Sequence, residues 1–228
     1  MELLILVLAL ALAFIAAIYF SAKHSRITQK RARFIDSYEF PDKVKEGVLK
    51  AHPHLSRAQA NRVTETLREY FHVCNEAGRS FISMPSDAVD TAWHEFILFT
   101  RQYADFCDKA FGRFLHHTPA EALAKPTQAQ KGMRNAWRIA CSRAHINPAS
   151  PAKLPMLFGI DAMYQIVDGH HYEIDCGHPL GGITNQKHNF CITHSLANRS
   201  ATGCGGCSNA ASNSGDSGCG GGCGGCGS

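Results

Sequence analysis

The aspartate and histidine residues between Pro85 and Pro119 are the side chains best suited to chemistry. Asp90 and His94 are four residues apart, so a helix places their side chains next to each other on one face. Such a pair can be an oriented base, two ligands of a metal ion, or a hydrogen-bonded pair at the edge of a core. The spacing leaves these three alternatives open.

One continuous helix, from Ser86 to Gly112, is predicted to carry this pair. Ser86 suits the N-cap position, and Gly112 suits the left-handed conformation that follows a last helical residue. Asp87 and Arg101 extend the polar stripe in both directions. The neighbouring face is apolar and is predicted to be buried, and it carries Val89, Trp93, Phe96, Thr100, Tyr103, Cys107 and Phe111. Its cysteine therefore cannot serve as a nucleophile beside His94.

Two further histidines, His116 and His117, follow this helix directly. In a straight helix, His94 lies about 25 Å from Phe111. A site shared by His94 and either later histidine would require the chain to return over most of that length. We therefore predict separate roles, with His94 paired to Asp90 and the two histidines near the carbonyl groups of the helix C-terminus.

The sequence pattern around these residues resembles a known family. From Asp90 it reads DxxWHxFILxTxxYxxFC, and from Phe111 it reads FGxFLHH. This pattern resembles the glycine-rich domain-containing protein family, whose bacterial-type members have an N-terminal membrane helix and a Cys/Gly-rich tail. The resemblance covers roughly residues 47–119 and, loosely, the tail. It implies this organisation but no particular reaction, so the motif residues Asp90, Trp93, His94, His116 and His117 have no assigned catalytic role.

A second group of potential metal ligands lies in the last quarter of the chain. Cys176, His178, Cys191 and His194 are of the right types for a structural zinc site, although the Cys-x-His spacing is tight. The tail beyond them offers cysteine pairs that suit zinc or copper(I), in a set formed by Cys204, Cys207, Cys219, Cys223 and Cys226. The alternatives are incidental histidines on a polar surface and a tail that stays disordered without metal.

The N-terminal segment predicts a membrane anchor. Residues 3–20 are 18 consecutive apolar residues, which span about 27 Å as a helix. A cleaved signal peptide is the alternative, but no positive charge precedes the run and the run is long for such a peptide. The basic residues follow it instead, as Lys23, Arg26, Lys30, Arg31 and Arg33. This asymmetry predicts an external N-terminus, a cytoplasmic main domain and contact of the basic residues with anionic lipid.

The charge beyond this basic run argues against a nucleic-acid partner. The remaining basic and acidic residues number 18 each, so no domain-wide basic patch is expected. A cytoplasmic location also predicts that the ten cysteines stay reduced.

The fold is predicted to be mainly α. The expected organisation is a transmembrane anchor at 1–22, a basic juxtamembrane linker at 23–42, a helical bundle at 43–147, an irregular Cys/His-containing segment at 148–196 and a disordered tail at 197–228. Within the bundle, Val63, Leu67, Tyr70 and Cys74 form a core stripe, and His72 is expected to face solvent. Asp168 and Gly169 suggest the turn of a small β-hairpin.

These observations favour a non-enzymatic function. We predict a membrane-tethered module that interacts with a protein partner or binds zinc or a soft metal through Cys and His. One alternative is a metal-assisted or Asp/His-dependent hydrolase, and the other is a purely structural tether. The sequence contains neither the GxSxG nor the HExxH signature of known hydrolases.

Overall fold

The computed structural model describes residues 1–118, 126–174 and 189–191. The protein is mainly α-helical, as predicted. The helices are α1 (Glu2–Ser37), α2 (Asp42–Ala51), α3 (Arg57–Ala77), α4 (Asp87–Ile97), α5 (Thr100–Phe111), α6 (Pro126–Arg143) and α7 (Met156–Met163). Two short strands, β1 (His171–Glu173) and β2 (Asn189–Cys191), pair in parallel. The predicted hairpin around Asp168 and Gly169 is wrong, because residues 164–170 form turns and irregular backbone after α7 and no strand precedes β1 there.

Helix α1 begins as an exposed apolar helix and ends in the core of the domain. Its most apolar 18-residue segment has a mean hydropathy of 2.7 and is 0% buried. By length and composition, α1 could cross a membrane. Near its other end, Ile35 is fully buried. The Arg68 side chain from α3 donates to the carbonyls of Ile35, Asp36 and Tyr38 and so supplies donors to carbonyl groups at the C-terminal end of the helix. The helix thus continues well into the segment expected to be a linker.

Helix α3 lies at the centre of the domain. Ser56 and Gln59 form a reciprocal capping box at its start. The predicted stripe of Val63, Leu67, Tyr70 and Cys74 is buried, as expected from its helical spacing. His72 is buried too, contrary to the expectation of solvent exposure, because the end of α1 covers that face of α3 and places Asp36 at 2.8 Å from His72 Nε2.

The predicted single helix between Ser86 and Gly112 is two helices. Helix α4 ends at Ile97, and Phe99 has non-helical backbone angles (φ −80°, ψ 59°) before α5 begins. The rings of Phe96 and Phe106 are 5.3 Å apart, whereas ten residues of straight helix would separate them by about 15 Å along the axis. Burial of both rings in one core therefore requires the bend. Thr100 is consequently exposed and does not share the buried face.

Helix α7 stabilises the start of α4. The carboxylate of Asp161, which is 1% exposed, accepts hydrogen bonds from the Ser86 hydroxyl at 2.6 Å and from the Asp87 amide at 2.7 Å. It also accepts from the amides of Ala88 and His170. A carboxylate from another helix thus binds the free N–H groups at the N-terminus of α4 and complements its positive end.

Candidate functional site

Asp90, His94 and His117 form a compact cluster at the surface of the domain. His117 Nε2 lies 2.9 Å from Asp90 Oδ1, and His94 Nε2 lies 3.7 Å from Asp90 Oδ2. His117 Nδ1 and His94 Nε2 are 3.4 Å apart. One ligand atom from each residue lies within 4.8 Å of the other two. The side chains of Asp90 and His117 are mostly covered, and that of His94 is 55% exposed.

The bend between α4 and α5 brings His117 to this cluster. Because α5 turns back on α4, the segment after Gly112 passes beside the face of α4 that carries Asp90 and His94. The prediction that His94 and His117 have separate sites is therefore wrong, since it assumed a straight helix. The predicted location of the two histidines at the helix C-terminus is also wrong for His117, which lies against α4 instead.

Tyr103 holds the returning segment in place. Its hydroxyl accepts from Trp93 Nε1 at 3.0 Å and donates to the Leu115 carbonyl at 2.5 Å. Burial raises the pKa of Tyr103, so this hydroxyl keeps its proton and remains a donor. The Trp93 ring also packs edge-on against the His117 ring, with 4.7 Å between centroids. The motif residue Trp93 therefore positions His117 and is itself buried.

The protonation of His117 decides what the cluster can bind. An ionised Asp90 can only accept hydrogen bonds, so His117 Nε2 carries the proton at their 2.9 Å contact. In the neutral ring, Nδ1 is then unprotonated, and it is the nitrogen near His94. The hydrogen bond made by one ring nitrogen sets which nitrogen is free to bind a metal. His117 thus offers a lone pair to the space between the three residues.

The spacing of the three side chains suits a transition metal. Ligand atoms about 2.1 Å from a tetrahedral zinc ion lie about 3.4 Å apart. The two separations made by His94 Nε2, 3.4 Å to His117 and 3.7 Å to Asp90, are close to that value. Two histidines and one carboxylate also leave a coordination position for water or another ligand.

A cavity of about 230 Å³ adjoins the cluster and shares His117 with it. It lies between the end of α3, the connection to α4 and the segment after α5. Arg79, Arg113, His116 and Thr118 are among its lining residues, and Tyr70 lies at its buried side. The sequence does not identify either arginine as a site residue, because each is an ordinary exposed residue. The two become relevant only when the bend places the segment after α5 beside the end of α3.

His116 and the other two residues of the predicted polar stripe, Asp87 and Arg101, do not join the cluster. His116 lines the cavity and packs its ring against Phe114, at 4.8 Å between centroids. Asp87 lies one turn before Asp90, where burial and the charge of Asp161 raise its pKa. Arg101 belongs to α5, so the bend removes it from the face of Asp90 and His94.

The buried cysteines of the helical domain are poor nucleophiles. Burial raises the pKa of Cys74 and Cys141 to about 12 and also raises that of Cys107. All three thiols are therefore protonated near neutral pH. This agrees with the prediction that Cys74 and Cys107 are core residues.

The predicted Cys/His ligand set falls almost entirely outside the described residues. Those outside are Cys176, His178, His194, Cys204, Cys207, Cys219, Cys223 and Cys226. Cys191 is the last residue of β2. A zinc or copper site among these residues stays a prediction.

Comparison with known families gives one match. A family model described as UCP032817-like matches residues 30–195, more than two thirds of the chain, and the matched region includes the whole cluster. No curated protein and no solved structure matches the chain. The match does not bear on the resemblance to glycine-rich domain-containing proteins, which stays a prediction. The description of this family names no ligand or reaction. Because its model matches most of the sequence, the chain belongs to the UCP032817-like family.

Proposed function

We propose that this protein is a membrane-anchored helical module that binds one divalent transition metal ion through Asp90, His94 and His117. The observation that carries the proposal is the convergence of three potential ligand atoms from two separate segments within 4.8 Å. A hydrogen-bonded triad without metal is the structural alternative. Zinc is the first candidate because two imidazoles and a carboxylate are common ligands for it, and the same set also suits iron(II).

Metal-assisted hydrolysis is a second candidate function for the same site. Among the residues that the structure describes, three protein ligands converge beside a cavity, and this arrangement favours such a reaction. A zinc ion with three protein ligands can bind and ionise a water molecule, whereas structural zinc sites usually have four. The thiols of Cys74 and Cys107 would not take part, because burial keeps them protonated.

The N-terminal helix supports the membrane part of the proposal. Its most apolar 18-residue segment is 0% buried by the other described residues. Five basic residues follow the apolar run. In our proposal the N-terminus is external, and the domain is cytoplasmic with its basic residues near anionic lipid. A tag placed after Ser228 should then resist protease added outside intact cells. Digestion of that tag would reverse the orientation.

The metal proposal is tested by elemental mass spectrometry on the full chain, purified in neutral detergent under reducing conditions. Zinc, iron and copper are measured per chain, and the same is done for a chain ending at Leu196. We expect about one metal ion per chain in both lengths, as a single three-ligand site requires. His117→Ala is expected to lose it. The control is His116→Ala, which removes the neighbouring histidine that lies outside the cluster and should retain the metal.

Two results would contradict this proposal. Metal that is present only in the full chain and survives His117→Ala would belong to the tail cysteines. Absence of metal from every protein, even after zinc is added and excess is removed, would identify the triad as a hydrogen-bonded structural element.

A further inference from the structure

We propose that the cavity beside the cluster binds a small anion with a phosphate or carboxylate group, held by Arg79 and Arg113 next to the metal. This inference rests on the proposed metal site and names the class of ligand or substrate that the site would take. It begins with the charges that surround the cavity.

The charged lining of the cavity is entirely basic among the residues that the structure describes. Arg79 and Arg113 line it, together with His116 and His117, and no aspartate or glutamate does. The other ionisable groups there, Tyr70 and Cys74, are neutral because burial raises the pKa of each. Two guanidinium groups around a cavity without acidic neighbours favour an anionic ligand.

Arg113 is anchored to the backbone next to Arg79. Arg113 Nη2 donates to the Gly78 carbonyl at 2.9 Å, and Gly78 directly precedes Arg79 in sequence. The charge of Arg113 also acts on the thiol of Cys74 at the buried side of the cavity, where it opposes the rise in pKa caused by burial. Arg113 therefore influences the cavity interior as well as its rim, and most of its N–H donors remain available to a ligand.

The size of the cavity limits the ligand. A volume of about 230 Å³ is below the range of about 300–1,000 Å³ that is usual for drug-sized molecules. The shared His117 also places one wall of the cavity against the proposed metal. A compact anion would thus meet two guanidinium groups and the positive charge of the ion, all of which attract phosphate or carboxylate oxygens.

Titration calorimetry with inorganic phosphate tests this inference on the full chain in neutral detergent, loaded with zinc. Wild-type protein should bind phosphate. The double variant Arg79→Ala/Arg113→Ala should have a Kd at least about tenfold higher, since the loss of even one charge-assisted hydrogen bond raises the Kd by about that factor or more. Arg138→Ala is the matched control, because this exposed arginine of α6 is not among the residues that line the cavity. It should leave the Kd unchanged.

A second measurement tests whether the anion binds next to the metal. A second variant tests whether weaker binding reflects the lost charges rather than misfolding. Cobalt(II) in place of zinc should change its visible absorption spectrum when phosphate is added. Arg79→Lys/Arg113→Lys, which retains both charges, should bind phosphate more tightly than the double alanine variant. If the wild type and the double alanine variant both bind metal but bind phosphate equally weakly, the anion inference alone is overturned. Failure of wild-type protein to bind metal overturns both this inference and the proposed function.

Discussion

At the scale of single residues, His72 links the stability of the domain to pH. Its side chain is only 3% exposed, and Nδ1 has no hydrogen-bond partner among the described residues. Burial lowers the pKa of His72 below its ordinary value of 6.5, the charge of Arg143 lowers it further, and Asp36 opposes both effects. The folded protein therefore keeps this imidazole neutral at pH values where an unfolded chain would bind a proton.

We predict that the free energy of unfolding decreases as the pH falls through the region just below 6.5. In that region the unfolded chain binds more protons at His72 than the folded protein does, so the contribution is complete above it and is lost as the pH falls. Urea unfolding between about pH 7.5 and 5 measures this dependence, and His72→Gln should make it shallower. Equal slopes for the two proteins would show that another group is responsible.

Asp90 and His94 could be identified from sequence because their relation is local. A spacing of four on a helix makes neighbours whatever the rest of the fold does. His117 could not be assigned to them, since its position depends on how the rings of Phe96 and Phe106 pack across the bend. No glycine or proline occurs at that bend, so the sequence lacked the usual signal of a helix break.

At the scale of elements, the N-terminus of α4 depends on a side chain from α7. The Asp161 carboxylate accepts four hydrogen bonds, all from groups near the start of α4 or from the amide of His170. We predict that Asp161→Asn, which preserves the volume but replaces an acceptor with a donor, lowers the free energy of unfolding by about 2–4 kcal/mol. The exposed variant Asp108→Asn on α5 should change it by less than about 0.5 kcal/mol. Similar values for the two variants would mean that Asp161 does not stabilise α4.

The contact between α5 and the segment that carries His117 depends on the Tyr103 hydroxyl. We predict that Tyr103→Phe lowers the free energy of unfolding by about 1–2 kcal/mol, because Trp93 loses its acceptor and the Leu115 carbonyl loses its donor. Zinc affinity should also fall, since His117 is then less firmly positioned. Chemical unfolding and zinc titration measure the two effects, with Tyr164→Phe as the control. A destabilised variant with unchanged zinc affinity would mean that Tyr103 has no role in positioning His117.

At the scale of the whole molecule, α1 joins the apolar N-terminal segment to the domain core without a break. The apolar run was recognisable from composition, and so was the mainly helical class. The role of residues 34–38 was not, because a short apolar edge next to basic residues gives no sign of the α3 side chains that bind it. Arg68 and His72 supply those contacts in the folded protein.

This continuity predicts that the end of α1 is part of the folding unit. Ile35→Ala should lower the free energy of unfolding of the domain by about 2–4 kcal/mol, as expected when a fully buried isoleucine is truncated. Ile27→Ala, two turns earlier on the same helix and 40% exposed, should have a much smaller effect. If both variants unfold like the wild type, α1 acts only as a tether.

The central claim is that Asp90, His94 and His117 bind the metal, and X-ray absorption at the zinc edge tests it most directly. The sample is the chain ending at Leu196 with one equivalent of zinc, which retains the cluster and removes the tail cysteines. Our account predicts nitrogen and oxygen ligands only, at about 2.0–2.1 Å, with scattering from imidazole rings. A shell of sulfur ligands at about 2.3 Å would contradict it, because the ion would then be bound by cysteines.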